Sequence, residues 1–135
     1  MSTTGKKLLP FILCIIYLHC GSPTILTNSP MVPGAQGEVT LNKDSNNNTT
    51  ISLSVKHLAP PTKLNPSRSV YIVWVESPEG KVANLGQLQV DDDLEGDFEG
   101  TTPFEYFRIL ITAEDTPTVT QPSLDLVLST ARLKP

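Results

Sequence analysis

Proline and glycine interrupt this chain so often that long helices are excluded. The 135 residues include 12 Pro and 8 Gly. Proline removes a backbone donor and breaks a helix interior, so a chain punctuated at this density folds into short elements. Charged residues make up 18% of the sequence, below the roughly 25% that is typical of soluble domains. The length fits one domain with a single core, and we predict an all-β domain.

Short apolar segments follow one another between turn-forming residues. They are residues 39–41, 51–55, 70–75, 85–90, 97–101, 108–112 and 124–130. Ile51, Leu53 and Val55 alternate with serines, and this period of two places all three side chains on one face of a strand. Residues 70–75 are apolar throughout, which is typical of a strand covered on both faces. The pattern predicts an immunoglobulin-like antiparallel β-sandwich of about seven strands.

The N-terminal segment has the pattern of a secretory signal peptide. Lys6 and Lys7 precede an apolar run over residues 8–18, which only Pro10 interrupts. This run is too short to cross a bilayer as a helix, which needs about 20 residues, and it has no polar face. We therefore predict that residues 1–20 are an export leader and that the domain lies outside the cytoplasm, in the periplasm or at the cell surface.

Cys20 follows the apolar run and precedes Gly21 and Ser22, an arrangement that resembles the acceptor cysteine of bacterial lipoproteins. Cleavage before this cysteine and lipidation of its sulfur would hold the domain on a membrane. Two alternatives stay open. One is ordinary cleavage near Gly21 or Ser22 with release of the protein, and the other is an uncleaved leader that acts as a weak anchor.

The segment after the leader, residues 21–37, is rich in Pro, Ser, Thr and Gly and has no apolar periodicity. This composition is typical of a flexible tether. We predict that the tether does not pack and that the sandwich spans residues 38–135. Because the two cysteines are Cys14 and Cys20, no disulfide is expected in the mature domain.

The charge of the chain restricts its partners. The formal net charge is −4, and loss of Lys6 and Lys7 with the leader would make it −6. An acidic domain repels phosphate groups, which excludes nucleic acid and electrostatic adhesion to anionic lipids. We expect any partner to be a neutral or basic envelope protein, and we expect membrane contact only through the lipid anchor or the leader.

A set of hydrophobic and glycine positions resembles a known family. The positions are Tyr71-Ile72-Val73-Trp74, Gly80, Asn84-Leu85-Gly86-Gln87-Leu88, Phe107, Ile111-Thr112-Ala113-Glu114 and Pro122. Over residues 37–128 they resemble the extracytoplasmic C-terminal domain of anti-sigma-K factors. The resemblance implies a periplasmic or cell-surface β-sandwich. It does not imply sigma-factor binding, because that activity belongs to a cytoplasmic zinc-binding domain followed by a transmembrane helix, and neither pattern is found in this sequence.

No catalytic motif is readable in the sequence. His57 is the one histidine beyond the leader, and neither HExxH, G-x-S-x-G nor a thiol accompanies it. We therefore predict a non-catalytic binding or sensing module that needs no cofactor. An envelope enzyme that uses only carboxylates stays open as an alternative, although nothing in the sequence selects a pair.

An acidic stretch after the fourth predicted strand begins like a calcium loop. The candidate ligands are Asp91, Asp93, Glu95 and Asp97. The sixth position is Gly96, as in such loops, but the twelfth position is Thr102 where a bidentate Glu is needed. A solvated acidic hairpin turn is the favoured interpretation. The alternative function is a calcium- or carbohydrate-binding accessory domain.

Four further residues are assigned structural roles. They are Tyr71, Trp74, Gly86 and Glu114. The first two lie in a run that is apolar on both faces, so burial of the indole is favoured over stacking on a sugar. Gly86 belongs to the leucine-glycine pair of the family resemblance. Glu114 ends an apolar strand before a proline-containing loop, where its carboxylate is expected to accept backbone N–H groups and fix the loop.

Residues 43–48 are expected to form the turn between the first two strands. They contain Asp and Asn residues, which tolerate left-handed backbone conformations. Asn47 and Asn48 each begin an Asn-x-Thr acceptor pattern for glycosylation, which would matter only in a eukaryotic secretory pathway. The lipoprotein-like leader favours their interpretation as turn residues.

Overall fold

The computed structural model describes Gly5 and residues 21–135, so the predicted lipidation at Cys20 lies outside the described residues. The described part of the chain contains nine strands and one short 3-10 turn. The strands are β1 (Thr24–Ile25), β2 (Thr27–Asn28), β3 (Gln36–Lys43), β4 (Thr49–Lys56), β5 (Val70–Glu76), β6 (Val82–Leu88), β7 (Gly96–Thr102), β8 (Arg108–Glu114) and β9 (Leu126–Ser129). The 3-10 turn is Pro61–Lys63.

Two antiparallel sheets pack as a sandwich, which confirms the predicted fold class. The four-stranded sheet has the order β1-β3-β4-β7, and the five-stranded sheet has the order β2-β9-β8-β5-β6. The seven predicted strands correspond to β3 through β9. β3 and β4, the first two of these seven strands, pair within one sheet as the first two strands of constant-type immunoglobulin domains do. The fourth strand, β6, differs from that arrangement because it pairs with β5 in the other sheet.

The interior between the sheets is filled from both sides. Its buried members include Val39, Ile51, Leu53, Val55, Val73, Phe107, Ile109, Ile111 and Leu128. The inward positions of β4 are every second residue, as the alternation predicts. Tyr71 is also buried here, and its hydroxyl donates a hydrogen bond of 2.6 Å to the Ala59 carbonyl oxygen. Burial raises the pKa of Tyr71, so the phenol stays neutral.

The outer face of the five-stranded sheet is apolar as well. Ile72, Trp74 and Leu110 are buried there in a second cluster, separate from the interior. Residues 115–125, which connect β8 to β9 and which we call the strap, fold back over this face and pack Val119 against the cluster. The prediction that Trp74 is buried is confirmed, but the indole lies under the strap and not between the sheets.

Residues 21–37 are part of the sandwich, so the prediction of an unpacked tether is wrong. β1 pairs with β3 and β2 pairs with β9, which makes this stretch cross from one sheet to the other. Leu26 lies between the two strands and is buried, as are Val32 and Ala35. Two pairings of two residues each leave no periodicity in the sequence, and this is why composition alone indicated a tether.

The edge strand β6 begins three residues before its predicted start because a bulge breaks its alternation. Val73 pairs with Gly86 and Trp74 pairs with Asn84, which leaves Leu85 as the extra residue. Gly86 has a φ of +135°, a conformation that residues with a side chain rarely adopt. A Cβ at this position would meet the Phe98 ring at 3.4 Å. The bulge gives Gly86 the structural role that was assigned to it.

Candidate functional site

One end of the sandwich carries short connections and receives the N-terminal part of the described chain. The connections are residues 44–48, 77–81 and 103–107, and the C-terminal residues 130–135 lie beside them. Gly21 lies at this end because it packs against the backbone of Leu41, near the end of β3. We call this the anchor end.

The opposite end, which we call the loop end, carries the longer connections. They are residues 29–35, 57–69, 89–95 and the strap. Loops clustered at one end of a sandwich are the usual place for binding residues, because the sheets hold them while their sequence is free to vary. The loop end is therefore the candidate functional site.

The predicted acidic turn lies at the loop end. Asp91 Oδ1 accepts the backbone N–H groups of Asp93 and Glu95, both at 2.9 Å. Leu94 has a φ of +62°, and its carbonyl oxygen accepts the N–H of Leu58 at 3.1 Å. The turn joins β6 in one sheet to β7 in the other, so the prediction of a hairpin is corrected to a connection between sheets. An oxygen of the first candidate calcium ligand is thus occupied in fixing the turn.

The four candidate calcium ligands do not converge. Among residues 21–135, no group of three His, Cys, Asp or Glu side chains is arranged to hold a metal ion. Asp97 lies beyond the turn on β7, opposite Ser54 of β4 and on the outer face of the four-stranded sheet. His57 follows β4 at the loop end with a φ of +55°.

The anchor end contains a turn of the same construction, as predicted for residues 43–48. Asp44 Oδ1 accepts the N–H groups of Asn46 and Asn48, both at 2.9 Å. Asn47 has a φ of +63°, a conformation that costs less free energy for asparagine than for leucine. The two aspartate turns therefore share one geometry at opposite ends of the molecule and differ in the residue at the left-handed position.

Glu114 fixes the strap, as predicted. Its Oε1 accepts the backbone N–H of Ser123 at 2.8 Å and the hydroxyl of Thr112 at 2.5 Å. The Thr112 oxygen in turn accepts the indole N–H of Trp74 at 2.8 Å. Glu114 is only 5% exposed, and hydrogen bonding of this kind is what makes a buried carboxylate tolerable. These contacts assign it a structural role.

Asn84 supplies a second attachment for the strap. Its Nδ2 donates to the carbonyl oxygens of Pro117 and Val119, at 3.0 and 2.9 Å. Sequence analysis did not predict this role, because the two acceptors lie more than 30 residues from Asn84 along the chain. Without such a donor, carbonyl groups lying on an apolar face would have no partner.

Arg68 holds both ends of the strap and thereby positions an exposed leucine. Its guanidinium contacts Asp125 through Nε at 2.7 Å and Asp115 through Nη1 at 3.0 Å. The hydrogen bond with Asp125, followed by that with Asp115, raises the pKa of Arg68. Leu124 is fully exposed to solvent between Asp125 and the hydrogen-bonded Ser123. The loop end therefore presents an apolar side chain on a fixed base.

A shallow depression of about 440 Å³ lies on the outer face of the four-stranded sheet. Its polar lining consists of Glu38, Thr40, Ser52, Ser54, Asp97 and Glu99. One sequence signal indicates this surface, namely the outward serines of β4 between buried apolar residues. It is a polar, acidic face without a strap over it.

No protein-family model matches this chain, and no curated protein or solved structure is significantly similar to it. Within the residues that the structure describes, no helix is long and apolar enough to span a membrane. We therefore infer function from the geometry and chemistry of the two ends.

Proposed function

We propose that this protein is a non-catalytic binding or sensing module of the cell envelope, held to a membrane through its N-terminal end. One observation carries the proposal. Gly21 lies at the anchor end, and the four long connections lie at the opposite end of the sandwich. A lipid on Cys20, or an uncleaved leader, would therefore keep the anchor end at the membrane and present the loop end to other envelope proteins.

The chemistry of the loop end indicates the kind of partner. The exposed acids of its turn are Asp91, Asp92, Asp93 and Glu95. Leu124 and Leu94 are exposed apolar side chains on the loops of the same end. A basic protein surface with an apolar pocket is complementary to this combination, because opposite charges guide association and a buried leucine supplies affinity.

The family resemblance supports the same proposal. The C-terminal domains of anti-sigma-K factors are extracytoplasmic β-sandwiches, and this chain folds as a sandwich over the region of resemblance. The resemblance and the leader pattern support the location. The topology supports the choice of the binding end.

Photo-crosslinking at matched positions tests the proposal. Ser45 and Asp92 are the second residues of the two aspartate turns, so a photoreactive amino acid has the same backbone setting at either position. In intact cells we expect discrete protein adducts from position 92 and none of them from position 45. Substitution Leu124→Ser should weaken the adducts from position 92. Absence of adducts at 92, or the same adducts from both positions, would contradict the proposal.

Calcium provides a separate test of the alternative function. A ligand that binds only the native state raises the melting temperature. We expect millimolar calcium to leave the melting temperature unchanged, because Asp91 Oδ1 is occupied by two backbone N–H groups. A rise that disappears in the variant Asp93→Asn would establish the acidic turn as a metal site and overturn this expectation.

A further inference from the structure

The chain is already docked on the four-stranded sheet where the described domain begins. Gly21 lies so close to the Leu41 carbonyl that a Cβ would collide with it. Thr24 is the first residue of β1 and pairs with Val39. Three residues separate Cys20 from β1, and three residues span at most about 11 Å. An anchor at Cys20 therefore leaves too little free chain to hold the domain clear of a membrane.

The side chains at the anchor end suit a lipid surface. Tyr106 is 47% exposed. Together with Phe104 and Pro78 it lines a depression of about 270 Å³. The Lys134 Nζ lies 5.2 Å from the centroid of the Tyr106 ring. Aromatic rings flanked by Lys and Arg are the groups that occupy the interface between membrane and water.

The charges of the domain are distributed unevenly between the two ends, and this distribution also favours a membrane at the anchor end. The anchor end carries Lys43, Lys81, Arg132 and Lys134 against Asp44, Glu79 and Glu105. The loop end carries Lys56, Lys63 and Arg68 against a larger set of acids, namely Asp91, Asp92, Asp93, Glu95, Glu114, Asp115 and Asp125. Strands of seven or eight residues separate the two ends by about 25 Å, more than the Debye length of about 8 Å at physiological salt. Repulsion of the acidic turn by anionic lipids is therefore screened when the anchor end faces the membrane.

We propose that the anchor end is a membrane-contact face whose occupant is the headgroup layer of a phospholipid bilayer. Tyr106 enters the interfacial layer, while Lys81, Arg132 and Lys134 lie near the lipid phosphates. The inference rests on the proposed anchoring at the N-terminal end and adds an orientation to it. It departs from the expectation based on net charge, because that expectation treats the acids as evenly distributed over the surface.

Depth-dependent quenching tests the orientation. The full chain is reconstituted into vesicles of phosphatidylethanolamine and phosphatidylglycerol that contain headgroup spin-labelled lipid. A fluorescent amino acid is placed at Ser45 or, as the matched control, at Asp92. We expect quenching at position 45 and no loss of fluorescence at position 92. Equal quenching at both positions, or stronger quenching at 92, would overturn the inference.

Flotation of the same vesicles separates failure of the anchor from failure of the orientation. A full chain that does not float with the vesicles shows that the uncleaved leader alone is not an anchor. The variant Cys14→Ser is then coupled through Cys20 to a maleimide-bearing lipid, and the quenching measurement is repeated. Quenching confined to position 45 still supports the contact face, whereas quenching at position 92 contradicts it.

A surface variant tests the side chains themselves. The double substitution Tyr106→Ser and Lys134→Ser should reduce the quenching at position 45, because the face loses its aromatic ring and a cation. Ile25→Ser is the control, since Ile25 is 65% exposed on β1 at the side of the sandwich. Equal quenching in the double variant and the control would show that these side chains do not contact the headgroups.

Discussion

The outer faces of the two sheets are built in opposite ways. On the four-stranded sheet, Ser52 and Ser54 face solvent directly. On the five-stranded sheet, Ile72, Trp74 and Leu110 are buried beneath the strap. An apolar face of this size needs a cover, and an irregular cover needs partners for its backbone polar groups. The hydrogen bonds of the strap therefore stabilise the fold, whereas the polar face contributes little.

The largest test of this contrast is the removal of the indole. Trp74→Ala should lower the free energy of unfolding by about 3–5 kcal/mol, because it deletes a fully buried aromatic side chain and leaves a cavity. Ser52→Ala on the other outer face should change it by less than about 0.5 kcal/mol. Guanidinium unfolding of both variants is followed by circular dichroism, because Trp74→Ala removes the only tryptophan and with it the tryptophan fluorescence signal. Similar losses for the two variants would contradict the difference between the two outer faces.

Removal of the buried carboxylate should have the next largest effect. Glu114→Ala leaves the Ser123 N–H and the Thr112 hydroxyl without their acceptor, and we expect a loss of about 2 kcal/mol. Glu114→Gln retains an acceptor oxygen and should lose less. Glu99→Ala, on the exposed face of the four-stranded sheet, is the matched control and should be nearly neutral. A neutral Glu114→Ala would show that the strap is held without this carboxylate.

The second attachment of the strap predicts a smaller loss. Asn84→Ala removes the donor to two strap carbonyl groups and should cost about 1 kcal/mol. Hydrogen exchange should then show faster exchange at residues 116–121 than in the rest of the strap. Asn42→Ala, exposed on the other sheet, should alter neither quantity. Unchanged exchange in the strap would contradict the role of Asn84.

The two aspartate turns at opposite ends of the sandwich predict the smallest change in stability. Leu94→Asn should raise the free energy of unfolding by about 1 kcal/mol, because leucine is strained at positive φ and asparagine is tolerated. The reverse change, Asn47→Leu, should lower it by a similar amount. Thermal melts of both variants provide the measurement. A loss of stability in Leu94→Asn would mean that the leucine side chain makes contacts that outweigh its backbone strain.

Much of the fold follows from local pattern. Ile51, Leu53 and Val55 specify both a strand and its buried face, and the acids after residue 90 specify a turn. β1 and β2 leave no such pattern, because each contributes two residues and Leu26 supplies the burial between them. Their existence depends on the partner strands β3 and β9, which are distant in sequence. A tertiary pairing of this length has no local signature.

Less of the candidate site than of the fold could be predicted from the sequence. The role of Glu114 could be predicted, because a carboxylate at the end of an apolar strand is placed to accept backbone N–H groups of the loop that follows. The contacts of Arg68 and Asn84 with the strap join residues that are far apart along the chain. Net charge likewise hides the separation of the acidic turn from the lysines of the anchor end. Such features become visible only when the topology assigns each connection to an end.

Mass spectrometry of the native N-terminus would show whether the domain is held outside the cytoplasm by its N-terminal end. We expect the protein to be recovered from a membrane fraction with a lipid-modified Cys20 as its first residue, and we expect Cys20→Ser to release it from that fraction. Recovery from the cytosol with residues 1–19 intact would contradict the placement, the orientation and the choice of partner together.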